Sequence, residues 1–100
     1  MAVFALIYRY TDETDRRMEV RPRHREYLAG LAEQGTVLVA GAFADESAPG
    51  GLIIVRAGSD AEVENLVQGD PYQEAGVIAG YAIREWAPPI GPLAGEFAGG

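Results

Sequence analysis

Val20-Arg21-Pro22-Arg23-His24-Arg25-Glu26-Tyr27-Leu28, running on to Gly35, reads as one helix set between two apolar runs. Pro22 suits the first turn of a helix, where its missing N–H costs nothing and its fixed φ is already helical. At about 100° per residue, Val20, Tyr27, Leu28 and Leu31 share one stripe, with Arg23, Glu26, Ala29 and Glu33 opposite. Gly35, just past Gln34, supplies a left-handed stop. Within the apolar stripe stands His24, the single histidine of the chain. What an imidazole does on an inward face is the question this sequence poses.

Strands flank the helix. Val3-Phe4-Ala5-Leu6-Ile7-Tyr8 is short, apolar on both faces and followed by the polar Thr11-Asp12-Glu13, so it reads as a strand buried on both sides. Thr14 to Glu19 is charged, and whether a helical turn precedes Pro22 stays open. Thr36 to Phe43 is a second strand, Ala44 to Gly50 an acidic, turn-rich loop, and Gly51 to Arg56 a third strand, together a hairpin with a longer loop. Ser59-Asp60-Ala61-Glu62 is a capping box ahead of the apolar stripe Val63, Leu66, Val67, and Gly69 ends that helix. Asp70-Pro71-Tyr72-Gln73 restarts a shorter one, with Asp70 as cap and Pro71 in first position. Gly76 to Trp86 is the last main strand. From Ala87 the Pro- and Gly-rich chain is expected to run extended, anchored by Trp86 and Ile90 and fraying beyond Leu93.

The order β-α-β-β-α-β predicts a ferredoxin-like α+β sandwich with both helices on one face of an antiparallel sheet. A single domain over residues 1–100 is expected, with a globular core at 1–86 and a tail at 87–100. Such a sheet leaves its second face open, where polar residues should alternate in. Strands one to three are instead apolar on both faces. A second copy of the sheet is the simplest cover, so a homodimer is expected.

Composition narrows the class of function. With 48% hydrophobic and 23% charged residues the chain is globular rather than disordered. The absence of cysteine excludes disulfides, thiolate metal sites and cysteine nucleophiles, and fits a cytoplasmic protein. Met1-Ala2-Val3-Phe4 lacks a basic n-region and reads as strand, so no signal peptide is expected. A net charge of −7 argues against nucleic acid and anionic membranes as partners. With one histidine, a zinc site would need mostly carboxylates, and no metal or other cofactor is expected.

Topology gathers the polar residues. The start of the Pro22 helix, the Ala44–Gly50 loop and the Gly69-Asp70 junction fall at one end of such a sandwich, which brings His24 and Asp70 together. A carboxylate beside an imidazole fixes its tautomer and raises its basicity, as general acid/base catalysis requires. Arg21 is close to His24 on the helical wheel and suits an anionic substrate group. Tyr72, next to Asp70 in the same segment, joins Arg21 as a candidate substrate contact, while Tyr8, Tyr10 and Trp86 read as core or interface.

Arg21-Pro22-x-His24, Gly35, Ala40-Gly41 and Asp70-Pro71-Tyr72-x-x-Ala75-Gly76 resemble the YCII-related (YciI-like) proteins, over roughly Val3 to Trp86. The resemblance implies subunits paired into a dimeric α+β barrel and an active site made of a histidine and an aspartate, here His24 and Asp70. Gly41-Ala42 departs from the Gly-Pro common among relatives. Fold relatives of that family include enzymes acting on small cyclic or aromatic metabolites.

The expected function is therefore that of a small-molecule enzyme. His24 acts as acid or base and Asp70 orients it, in isomerisation, elimination or hydrolysis. Two alternatives stand beside it. One is a dimeric module that binds a small ligand without transforming it. In the other His24 is packed as a core histidine and Asp70 merely caps a helix, a role worth ~1 kcal/mol.

Overall fold

The structure, a computed structural model, describes residues 1–45 and 47–98. Glu46 of the expected acidic loop and Gly99-Gly100 of the expected tail lie outside the described residues. The elements are β1 (Ala2–Tyr10), α1 (Thr14–Glu33), β2 (Val37–Ala42), β3 (Gly50–Ala57), α2 (Asp60–Gly69), α3 (Pro71–Glu74) and β4 (Ile78–Glu85), followed by a 3₁₀ turn at Ala94–Phe97. The four strands form one sheet in the order β2-β3-β1-β4. Every neighbouring pair is antiparallel. This is the ferredoxin-like α+β arrangement.

The register explains the two faces. Phe4, Leu6 and Tyr8 of β1 sit opposite Val55, Ile53 and Gly51 of β3. With Leu28 of α1 and Val63, Leu66 and Val67 of α2 they make the buried core. The alternate residues Val3, Ala5 and Ile7 of β1 and Leu52, Ile54 and Arg56 of β3 share the other face. There Val3 and Ile54 are buried, while Ile7, Leu52 and Val39 remain exposed.

The tail differs from its expected course. Beyond Leu93 it turns through Ala94–Phe97, and Arg56 donates to the carbonyl oxygens of Ala98 (2.8 Å) and Glu96 (3.1 Å). Phe97 meets Trp86 at 5.5 Å between ring centroids. Ile90 is 87% exposed on this chain. Proline and glycine keep this segment out of helix and sheet, but two carbonyls suited to a guanidinium fork bring it back to the face around Val3 and Ile54.

Helix α1 also departs from expectation. It starts at Thr14, so Pro22 lies inside it rather than in its first turn. The proline leaves the Met18 carbonyl without its usual helical donor. Val20, His24 and Leu28 form the buried stripe, with Tyr27 and Leu31 partly buried at its flank. The Tyr27 hydroxyl donates to the Leu66 carbonyl at 2.6 Å and ties α1 to α2. Gly35 ends α1 at φ +82°, with Thr36 N–H bonded to the Leu31 carbonyl and Gly35 N–H to Ala32, a Schellman stop. Ser59 accepts from Glu62 N–H as the capping box requires, but the Glu62 carboxylate reaches Gly58 N–H, one residue earlier than expected.

A buried imidazole–carboxylate pair beside an arginine-edged cleft

Asp70 stands where two helices meet. It closes α2 and opens α3, and its carboxylate accepts from Tyr72 N–H at 2.9 Å. Pro71, with no N–H of its own, leaves Tyr72 as the first free donor of that turn. The side chain is fully buried. A buried carboxylate needs partners, and two more arrive from distant elements. The Tyr8 hydroxyl donates to Oδ2 at 2.9 Å from the centre of the sheet. His24 Nδ1, from the middle of α1, lies 2.9 Å from Oδ1 and 3.0 Å from Oδ2.

An ionised carboxylate only accepts, so in the neutral imidazole this contact puts the proton on Nδ1 and the free lone pair on Nε2. Among the described residues no hydrogen bond engages Nε2. The ring plane is fixed as well, because Tyr72 stacks on the imidazole with centroids 3.8 Å apart and planes 5° from parallel. Tyr10 meets Tyr72 edge-on at 5.4 Å, and the Arg17 guanidinium lies 4.9 Å over the Tyr10 ring.

Burial, then the charge and hydrogen bond of Asp70, raise the Tyr8 hydroxyl far above the ordinary tyrosine range, so it stays a donor. Burial first, then the neighbouring Tyr72 and Asp70, push Tyr10 up to about 12 against the opposing pull of Arg17. Burial also raises Tyr72, while Arg17, Arg21 and Arg25 pull it back down.

His24 lines a cleft of about 420 Å³ between the N-terminal half of α1 and the β2–β3 hairpin. That volume lies within the range of small-molecule sites. The cleft also takes in the candidate contacts Arg21 and Tyr72. Topology thus brought His24 and Asp70 together as expected, although His24 sits in mid-helix rather than near a helix start. The acidic loop contributes Pro49, beside Phe43 at its base, and no acid among its described residues. Among the described residues no cluster of three or more histidine, aspartate or glutamate side chains is arranged to hold a metal.

Sequence reasoning missed two members. Tyr8 was read as core; the available signal was a tyrosine among Phe4 and Leu6 on an inner face, whose hydroxyl must find a buried acceptor. Arg17 lies in the Thr14–Glu19 stretch whose helicity the sequence leaves open, and the start of α1 at Thr14 is what carries it to the cleft.

A model of the YCII-related domain matches residues 1–87. A curated protein of Emericella nidulans, named as derivative of benzaldehyde biosynthesis cluster protein C, is 30% identical over 77 residues, 68% of this chain and 79% of that protein. Among solved structures, the 5-chloro-2-hydroxyhydroquinone dehydrochlorinase of Burkholderia phenoliruptrix, in complex with 2,5-dihydroxybenzoquinone, superposes with a TM-score of 0.74 at 23% identity. It covers 84% of this chain and 92% of its own. An antibiotic biosynthesis monooxygenase superposes with a TM-score of 0.57 at 11% identity, over 90% of this chain and 100% of that one.

Proposed function

Because the chain belongs to the YCII-related family, we propose that it is a small-molecule enzyme in which His24 moves a proton and Asp70 holds the imidazole in the competent tautomer. The observation that carries this is the Nδ1 contact at 2.9 Å to a fully buried carboxylate, on a histidine that lines a cleft. Nε2 then takes a proton from an acidic C–H or O–H of the ligand. The released electron pair forms a new π bond, and either a leaving group departs with its own pair or the proton returns at another carbon. In the first case the imidazolium passes its proton to solvent and the net change is loss of HX; in the second it is isomerisation.

Elimination is favoured over the other two reactions. The structural relative is named for removing hydrogen chloride from a hydroxylated ring, and the curated relative for a cluster making benzaldehyde derivatives. Tyr8 and Tyr72 position the pair, the one from below the carboxylate and the other against the imidazole face. We further propose a homodimer, paired through the sheet face on which Ile7, Leu52 and Val39 are exposed.

The test uses 5-chloro-2-hydroxyhydroquinone and a panel of cyclic enols and phenols in D₂O, following chloride release and deuterium uptake. His24→Gln, with its fold checked by circular dichroism, should lose the protein-dependent rate by about 10²-fold or more. An unchanged rate in that variant would refute the role of His24. Binding without turnover across the panel would make the cleft that of a binding module.

A further inference from the structure

Acids outnumber bases in this chain by 15 to 8, yet the edge of the cleft carries the opposite sign. Arg17, Arg21 and Arg25 all line it, and among the described residues no aspartate or glutamate does. They are spaced four apart, so they run as one row along α1, each three residues before a member of the buried stripe Val20, His24, Leu28. None of the three pairs with a carboxylate among the described residues, where α1 has only the Arg16–Glu19 and His24–Asp70 pairs. Like charges at this spacing repel by a few tenths of a kcal/mol per pair, so the row is not there for the helix.

Arg17 adds an independent sign. Its guanidinium is held over the Tyr10 ring, and Nη1 is buried with no hydrogen-bond partner among the described residues. A buried charged donor without an acceptor is costly, and its side chain is one of those that line the cleft. The fields of all three arginines converge on the hydroxyl of Tyr72, the residue stacked on the imidazole. The facing wall is small, since Ala40 and Ala42 of β2 pair with Ile53 and Gly51 and so share their helix-side face. A flat ring fits between such a wall and the helix, with Phe43 and Tyr10 beside it.

We infer that the cleft takes a small planar organic anion whose ionised oxygen, a carboxylate or an acidic enol or phenol, is held by Arg17 and Arg21 with Arg25 on the solvent side, leaving its reacting edge to His24. The inference rests on the proton-transfer cleft proposed above and adds the charge of what enters it. Guanidinium forks suit such oxygens because two parallel N–H donors meet two lone pairs. A neutral ring of the same shape leaves the row unsatisfied.

Binding of 2,5-dihydroxybenzoquinone, whose enolic hydroxyls are ionised at neutral pH, is compared by calorimetry with its neutral 2,5-dimethoxy counterpart, and benzoate supplies the carboxylate arm. The wild-type chain should bind at least one anion about tenfold or more tighter than the neutral ring, with affinity falling as salt rises. Arg17→Gln and Arg21→Gln should each lower anion affinity by about tenfold and leave the neutral ring unaffected. His24→Gln should keep anion binding. Equal affinity for charged and neutral rings, unchanged affinity in both arginine variants, or no millimolar binding of either anion overturns the inference. Arginine-dependent binding together with an undiminished rate in His24→Gln keeps the anion site and discards the proton-transfer role. Loss of rate in His24→Gln with arginine-independent binding does the reverse.

Discussion

Tyr8→Phe isolates one of the three donors that hold Asp70. The hydroxyl is buried at the sheet centre and donates at 2.9 Å to a fully buried carboxylate, so neither group can turn to water when the other is removed. A hydrogen bond to a charged acceptor in that setting is worth roughly 2 kcal/mol. Asp70 Oδ2 keeps only the 3.0 Å contact with His24 Nδ1. For a domain near 100 residues this loss lowers Tm by about 10 °C. The difference should also depend on pH. Folding raises the Tyr8 pKa above its unfolded value near 10. Its stabilisation is therefore fully present below pH ~10 and is lost as pH rises toward the folded value, at about 1.4 kcal/mol per unit. The other tyrosines are common to both proteins and cancel. A gap of roughly 2 kcal/mol at pH 7 should thus close near pH ~11.5 and reverse beyond it. Urea unfolding at fixed protein concentration from pH 7 to 12 measures this, with an unchanged m-value as control. A gap that stays constant across that range, or one below ~0.5 kcal/mol at pH 7, would falsify the Tyr8–Asp70 bond.

Nitrogen-15 spectra of the single histidine should show a protonated Nδ1 and a bare Nε2 once the neutral form is reached; a proton on Nε2 would contradict the Asp70 contact. Sedimentation at micromolar concentration should give twice the 10.7 kDa chain, and Leu52→Arg on the open sheet face should return it to monomer. A monomer in the wild-type protein removes that interface. Arg56→Ala should release the tail and change the emission of the only tryptophan, Trp86, which Phe97 now touches. An unaltered spectrum would mean that the tail does not rest there.

The fold was legible because its cues were local. Strand β1 declared itself by six consecutive apolar or aromatic residues, α2 by Ser59 and Glu62, and α3 by Asp70-Pro71. The start of α1 was not legible, because Pro22 is a better signal for a helix start than Glu13, which makes no side-chain cap there. Tertiary packing of Val20, His24 and Leu28 carried the helix through the proline. The pairing of His24 with Asp70 could be read from topology, which fixes which ends of elements meet. The part of Tyr8 could not, since alternation gives the face on which a side chain lies and not the atom it reaches. Nor could the return of the tail, which depends on one guanidinium finding two carbonyls.

Asp70-Pro71-Tyr72 shows why three adjacent residues suffice to build the pair. Pro71 starts the turn without competing for the carboxylate, Tyr72 N–H takes Oδ1, and the Tyr72 ring then lies flat on the imidazole that the same carboxylate holds. Capping and tautomer control thus use one side chain, and they are compatible because a carboxylate has room for about four donors. A capping role alone would be satisfied at the protein surface by aspartate, asparagine or serine. Full burial is a different matter, since sealing a carboxylate and an imidazole under a helix costs several kcal/mol of desolvation that apolar residues of similar volume would not incur. Three donors offset that cost without turning it into a gain. A pair placed at the wall of a cleft, with its second nitrogen free and its ring fixed between two elements, suits the proton transfer proposed above and is one that stability alone does not favour.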